Sequence, residues 1–103
     1  MRRDWNRKEI EAVVDAYFWM VGEQLGGRAF SKAEVVRRLQ FGALARRNNS
    51  AITRKLSNVS AILAQVAGPL VRGYTPLSHV QRALQTHVLS VAARRGIPVP
   101  VRR

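Results

Sequence analysis

Arg46, Arg47, Asn48 and Asn49 stand together in the chain, and Thr53, Arg54, Lys55 and Asn58 follow closely. Guanidinium and ammonium groups neutralise phosphate, and the planar fork of Arg does so through two parallel hydrogen bonds. Asn bonds in the same two-point fashion to the edge of adenine, and Thr can meet a base through its hydroxyl or methyl. Arg46, Arg47, Arg54 and Lys55, with Arg37 and Arg38 behind them, are therefore candidate phosphate contacts. Asn48, Asn49, Thr53 and Asn58 are the candidates for base edges. Each asparagine also has a structural alternative: Asn48 and Asn49 can shape a turn, and Asn58 can bond to neighbouring backbone or side chains.

Charge along the chain favours the same class of partner. The formal net charge is +12, from 18 basic and 6 acidic residues. Glu34 is the last acid, so the segment up to it is neutral and the rest supplies the whole excess. An acid-free, Arg-rich stretch of that length suits a polyanion. Arg enrichment from a GC-rich genome is the alternative, and it explains the missing acids poorly.

Other chemistries find few residues. Cysteine is absent, which removes disulfides, thiolate nucleophiles and cysteine-based zinc sites. His79 and His87 share one predicted helix with no acid beyond Glu34, so no metal-ligand set forms. No Gly-rich phosphate loop is present. Glu9, Asp15 and Glu23 fall where caps and solvent-facing helix positions are expected, so neither catalysis nor a cofactor is expected. No apolar run approaches the roughly 20 residues that cross a bilayer, and the start is followed by polar residues rather than a signal-peptide core. A soluble, cytoplasmic protein with no membrane partner is the expectation.

The basic cluster needs helices to hold it. Ile52, Leu56, Val59, Leu63 and Val66 recur at helical spacing, leaving Arg54, Lys55 and Asn58 on other faces of the same predicted helix. Asn49 or Ser50 caps that helix, after a turn from Arg46 to Ser50. The preceding helix opens at Ser31 with Glu34 as a capping box, and its buried side is Val35, Val36, Leu39, Ala43 and Leu44. Helix, short turn and helix is the spacing of a helix-turn-helix, whose second helix offers its N-terminal residues to the major groove. Such pairs also occur in most helical bundles.

The flanking elements complete the domain. The first helix starts near residue 7, with Asn6 and Glu9 as a capping box and Trp5 and Ile10 at staple positions. Ile10, Val13, Val14, Tyr17, Val21 and Leu25, extended by Phe18, Trp19 and Met20, form its apolar stripe, which stops at Gly26-Gly27. Trp19 and Phe18 either fill the core or face a partner. Beyond Gly68-Pro69, a connection holding Tyr74, either a buried anchor or a nucleic-acid contact, leads to a fourth helix that opens at Ser78 with Gln81 and carries Val80, Leu84, Val88 and Val91. Arg94-Arg95 suit the negative end of its dipole. These readings describe an all-α single domain over residues 1–96, a compact bundle of about four helices with a helix-turn-helix-like central pair. Residues 97–103 follow as an extended basic tail or linker.

A family likeness appears at the third helix. The pattern of Arg47, Ser50, Ala51, Ile52, Lys55, Asn58, Ser60, Ala61 and Leu63 is followed by Gly73-Tyr74-x-Pro76 and then Gln81 and Leu84. This pattern, opened by Trp5, Glu9, Val14, Tyr17 and Met20, resembles a small helical N-terminal domain of bacterial HNH-type endonucleases and related restriction or defence proteins. The chain departs from it around Ala51 to Thr53, where an acid is expected and Thr53 stands instead, and on the approach to Tyr74. The resemblance implies an accessory module of a DNA-processing protein rather than a nuclease, with catalysis in a separate domain of a larger parent chain; DNA binding is the reading of its basic residues. A helical protein-interaction or homodimer module, through the first or fourth helix, and an RNA-binding protein are the alternatives.

Overall fold

In the computed structural model, which describes residues 4–99, the chain forms α1 (Arg7–Leu25), α2 (Lys32–Phe41), α3 (Asn49–Ala64) and α4 (Arg82–Arg94). The all-α bundle of four helices read from the sequence is the architecture. Helices α1 and α3 each pack against the other three, while α2 and α4 do not meet. The core lies between these two central helices and α4. It is built from Val13, Val14, Tyr17, Phe18 and Met20 of α1, Ile52, Leu56, Val59, Ile62 and Leu63 of α3, and Leu84 and Val88 of α4. Each large apolar side chain removed from water stabilises the fold by about 1.5–3 kcal/mol, so the stripes dictate which faces turn inward.

Capping follows the sequence closely at two helices and departs at two. Asn6 Oδ1 accepts from the Glu9 backbone N–H, and Glu9 Oε1 accepts from the Asn6 N–H, both at 2.9 Å. Ser31 Oγ accepts from the Glu34 N–H, but the Glu34 carboxylate turns to Arg37 and Arg38 rather than back to the cap. For α3 the cap is Asn48, not Asn49 or Ser50: its Oδ1 accepts from the Ala51 N–H at 2.8 Å. Helix α4 begins at Arg82 rather than near Ser78, and Gln81 at its cap makes no side-chain capping bond.

Several expected core positions face water instead. Trp19 is 51% exposed and meets Phe30 edge-on, while Leu25 is 73% exposed. Ala43 is exposed because α2 stops at Phe41, and the chain makes a series of turns through Leu44 to reach Asn48. Leu44 itself is fully buried and plugs the core from that connection. The α2–α3 turn is therefore longer than the tight turn the sequence suggests. Val66 lies beyond the end of α3 and is half-buried.

The α3–α4 connection is tied down by side chains distant in sequence. Gln24 donates to the Leu70 carbonyl at 2.7 Å and accepts from the Arg72 N–H at 2.9 Å. The buried Tyr17 hydroxyl accepts from the Val71 N–H at 2.9 Å and shares a 2.7 Å hydrogen bond with Ser60 Oγ. Tyr74 is buried beside the Tyr17 ring, as an anchor should be. The expected extended tail begins differently. The Ile97 N–H bonds the Ala92 carbonyl, and Ile97 and Val99 pack on the core; residues 100–103 of that tail lie outside the described residues.

Candidate nucleic-acid interface

Helix α3 has two unlike halves. Its C-terminal half carries Asn58, Val59, Ser60, Ile62 and Leu63, all buried, so it belongs to the core. Its first turns leave Asn49, Ser50, Thr53 and Arg54 exposed, one and four residues apart as one helical face requires. Arg46 is exposed just before the cap. Within α3 the exposed polar side chains lie in this N-terminal portion.

Arg47 is held inward. Its Nε and Nη2 donate to Glu9 Oε2 and Oε1 at 2.9 and 2.8 Å, a two-point pair in which both side chains are largely buried. Nη2 also donates to the Asp4 carbonyl, and the guanidinium lies 4.8 Å from the centre of the Trp5 ring. The paired Arg47 holds the Glu9 carboxyl below the usual carboxylate range against the opposing effect of burial. This geometry makes Arg47 a brace between the start of α1 and the approach to α3.

Lys55 is half-buried, with its ammonium 4.9 Å from the Trp5 ring centre and 3.3 Å from Gln81 Oε1. Burial pushes its pKa below the ordinary ammonium range, and the neighbouring Arg47 adds to that, while Asp4 and Glu9 oppose it. Asn58 is buried and its Nδ2 donates to the Leu77 and Ser78 carbonyls, so it clamps the α3–α4 connection rather than offering its amide outward. Asn48 is engaged as the cap, whereas Asn49 Oδ1 accepts from Thr53 Oγ1 at 3.3 Å on the open face. Of these candidates Asn58 is buried, Asn48 is exposed with its Oδ1 taken by the cap, and Asn49 and Thr53 lie on the exposed face.

Arg37 and Arg38 lie on α2, paired with Glu34 at 2.7 and 3.5 Å in solvent. Arg38 lines a cleft with Trp19 and Phe30, a different part of the surface from the one that Arg54 and Lys55 line. The candidate residues therefore divide into a set around the start of α3 and a pair on α2.

The structure also brings several of these candidates together with Trp5 and His79, a grouping that sequence spacing did not show. A polar cleft of about 410 Å³ lies between α3 and the segment leading into α4, lined by Trp5, Arg47, Arg54, Lys55, Asn58 and His79 among others. Four hydrogen bonds fix it: Asn58 donates to the Leu77 and Ser78 carbonyls, the Leu77 N–H bonds the Ser57 carbonyl, and Gln81 donates to the Trp5 carbonyl. The sequence signal for it was the polar, proline-containing connection itself, since loops held on a rigid scaffold commonly carry binding residues.

Among the described residues, no group of three His, Asp or Glu side chains converges as a metal site, and no helix is long and apolar enough to cross a membrane. Comparison with protein-family models, curated proteins and solved structures returned no match.

Proposed function

We propose that this chain is a non-catalytic DNA-binding module in which the first turns of α3 and the connection before them meet duplex DNA. The observation that carries the reading is the open face of Asn49, Ser50, Thr53 and Arg54, with Arg46 beside it, in a chain of net charge +12 whose acids all precede residue 35. Arg46 and Arg54 would neutralise phosphates and Asn49 and Thr53 would lie nearest base edges. Arg37 and Arg38 can exchange Glu34 for phosphate at little cost, because exposed ion pairs contribute about 1 kcal/mol or less. The pattern from Arg47 to Leu63 supports an accessory role beside a separate nuclease domain in restriction or defence. RNA is the competing nucleic acid, distinguished by competition.

The test is equilibrium binding to labelled duplex DNA across a salt series, with single-stranded DNA and RNA as competitors. Arg46→Ala/Arg54→Ala should flatten the logarithmic salt slope by about two units, since each phosphate contact contributes about 0.9. No duplex binding at low salt, or a slope unchanged by the substitutions, would overturn the reading. A second reading is self-association, favoured by the exposed Trp19 edge-on to Phe30 on the near-neutral α1–α2 side. Mass in solution across a concentration series distinguishes it: a constant monomer mass excludes a dimer.

A further inference from the structure

The cleft between α3 and the segment before α4 carries more cationic chemistry than the fold requires. Lys55 is half-buried there, yet among the described residues no carboxylate lies within ion-pair distance of it or of Arg54. Asp4 lines the same cleft from an exposed position, and the carboxylate of Glu9 is taken by Arg47. A half-buried ammonium next to a guanidinium is stabilised by an anion, which would also reverse the effect of burial on its pKa. His79 adds an imidazole to the lining while holding a left-handed backbone, φ 65, that a non-glycine residue adopts only at a cost. Neighbours on both sides maintain that conformation: Asn58 grips the Ser78 carbonyl and Gln81 is fixed to Trp5. At about 410 Å³ the cleft falls within the roughly 300–1,000 Å³ of small-ligand sites.

We infer that this cleft is a seat for one phosphate group of a nucleic acid, with Lys55, Arg54 and His79 as its donors. The inference rests on the DNA-binding reading and gives it a fixed point: a phosphate enclosed between α3 and the α4 approach sets the register of the strand across the open face of α3. Both a backbone phosphodiester and a terminal phosphomonoester supply this chemistry. The terminal group, with its second charge, would be the stronger ligand for an ammonium and a guanidinium together.

The experiment titrates inorganic phosphate into the full chain at constant ionic strength, following the Lys55 side-chain and His79 imidazole resonances by NMR. Saturable shifts at both residues are expected, with none of comparable size at Arg94 and Arg95. Lys55→Met, which keeps an apolar stem over Trp5, should weaken phosphate by about tenfold, the size of one charge-assisted hydrogen bond. His79→Gly should weaken it as well, and because glycine relaxes the left-handed backbone, that variant cannot be dismissed as misfolded. Duplexes with 5′-phosphate or 5′-hydroxyl ends then compete with inorganic phosphate. Stronger displacement by the phosphorylated duplex supports a strand end as the occupant, and equal displacement supports the backbone. Absent or non-saturable shifts, shifts indifferent to both substitutions, or no displacement by either duplex would overturn the seat. If duplex affinity falls with Arg46→Ala/Arg54→Ala but the cleft shows no phosphate, the DNA reading stands and this inference fails alone.

Discussion

Arg47 shows how one side chain type serves two purposes that sequence cannot separate. A basic residue beside a polar turn reads as a phosphate contact, yet its guanidinium is matched by Glu9, 38 positions earlier in the chain, and stacked on Trp5. Removing it strands a buried carboxylate, so Arg47→Ala should lower unfolding free energy by about 2–3 kcal/mol in urea denaturation, somewhat less than for a fully buried pair. The pair also fixes a pH dependence. The folded Glu9 carboxyl is held low, so its contribution is complete above the unfolded value of about 4.3 and fades as pH falls through the lowered folded value. Native stability should decline over that acid window, and Arg47→Ala should decline less steeply there; an equally steep decline would assign the acid sensitivity elsewhere. Tyr17 is the internal counterpart. Its hydroxyl satisfies both the Val71 N–H and Ser60 Oγ with no water access, so Tyr17→Phe should cost about 1–3 kcal/mol by calorimetry despite preserving the ring.

At the scale of elements, the helices were legible because their signals are local. Asn6 with Glu9, and the stripe from Ile52 through Leu63, name a helix start and a buried face without reference to the rest of the chain. The connections were less legible because distant partners shape them. Nothing near Ser78 shows that Asn58 will hold its carbonyl, or that Gln81 will serve Trp5 and Lys55 instead of capping a helix, and so α4 starts later than its sequence suggests. The same logic moved Leu44 from a helix face into a turn and left Trp19 beside Phe30 at the surface. In the candidate site, spacing placed Thr53 and Arg54 off the buried stripe of α3 but not the inward turn of Lys55 and Asn58, because the cleft that takes them needed three segments to come together. Gly73 tests how rigid the long connection is. It has φ 96, and an added Cβ would lie 2.9 Å from Lys32 Cε, so Gly73→Ala should lower stability by about 1 kcal/mol, mostly through backbone strain because the Lys32 side chain can swing away. A neutral result in thermal melts would mean that the connection shifts to accommodate a standard backbone.

For the molecule as a whole, the consequential quantity is the distance over which like charges interact. The radius of gyration is 13.1 Å, and the Debye length is about 30 Å at 0.01 M salt and about 8 Å at 0.15 M. At the lower salt each basic group therefore repels the others across the whole domain, whereas at the higher salt it is screened from all but its neighbours. The ion pairs that salt would weaken are mostly exposed, such as Arg7–Glu11 and Arg37–Glu34, and contribute little. Repulsion should dominate, so the melting temperature should rise by several degrees between these salts, given about 4–8 °C per kcal/mol for a domain near this size. A polyanion relieves the same repulsion at its contact surface. Duplex DNA at about a hundredfold over Kd should add about 2.7 kcal/mol at low salt, and the added stability should vanish as salt rises, because affinity falls with each phosphate contact released. A melting temperature that falls with salt would show that ion pairs outweigh repulsion. One that rises with salt but ignores DNA would leave the excess charge without a nucleic-acid role.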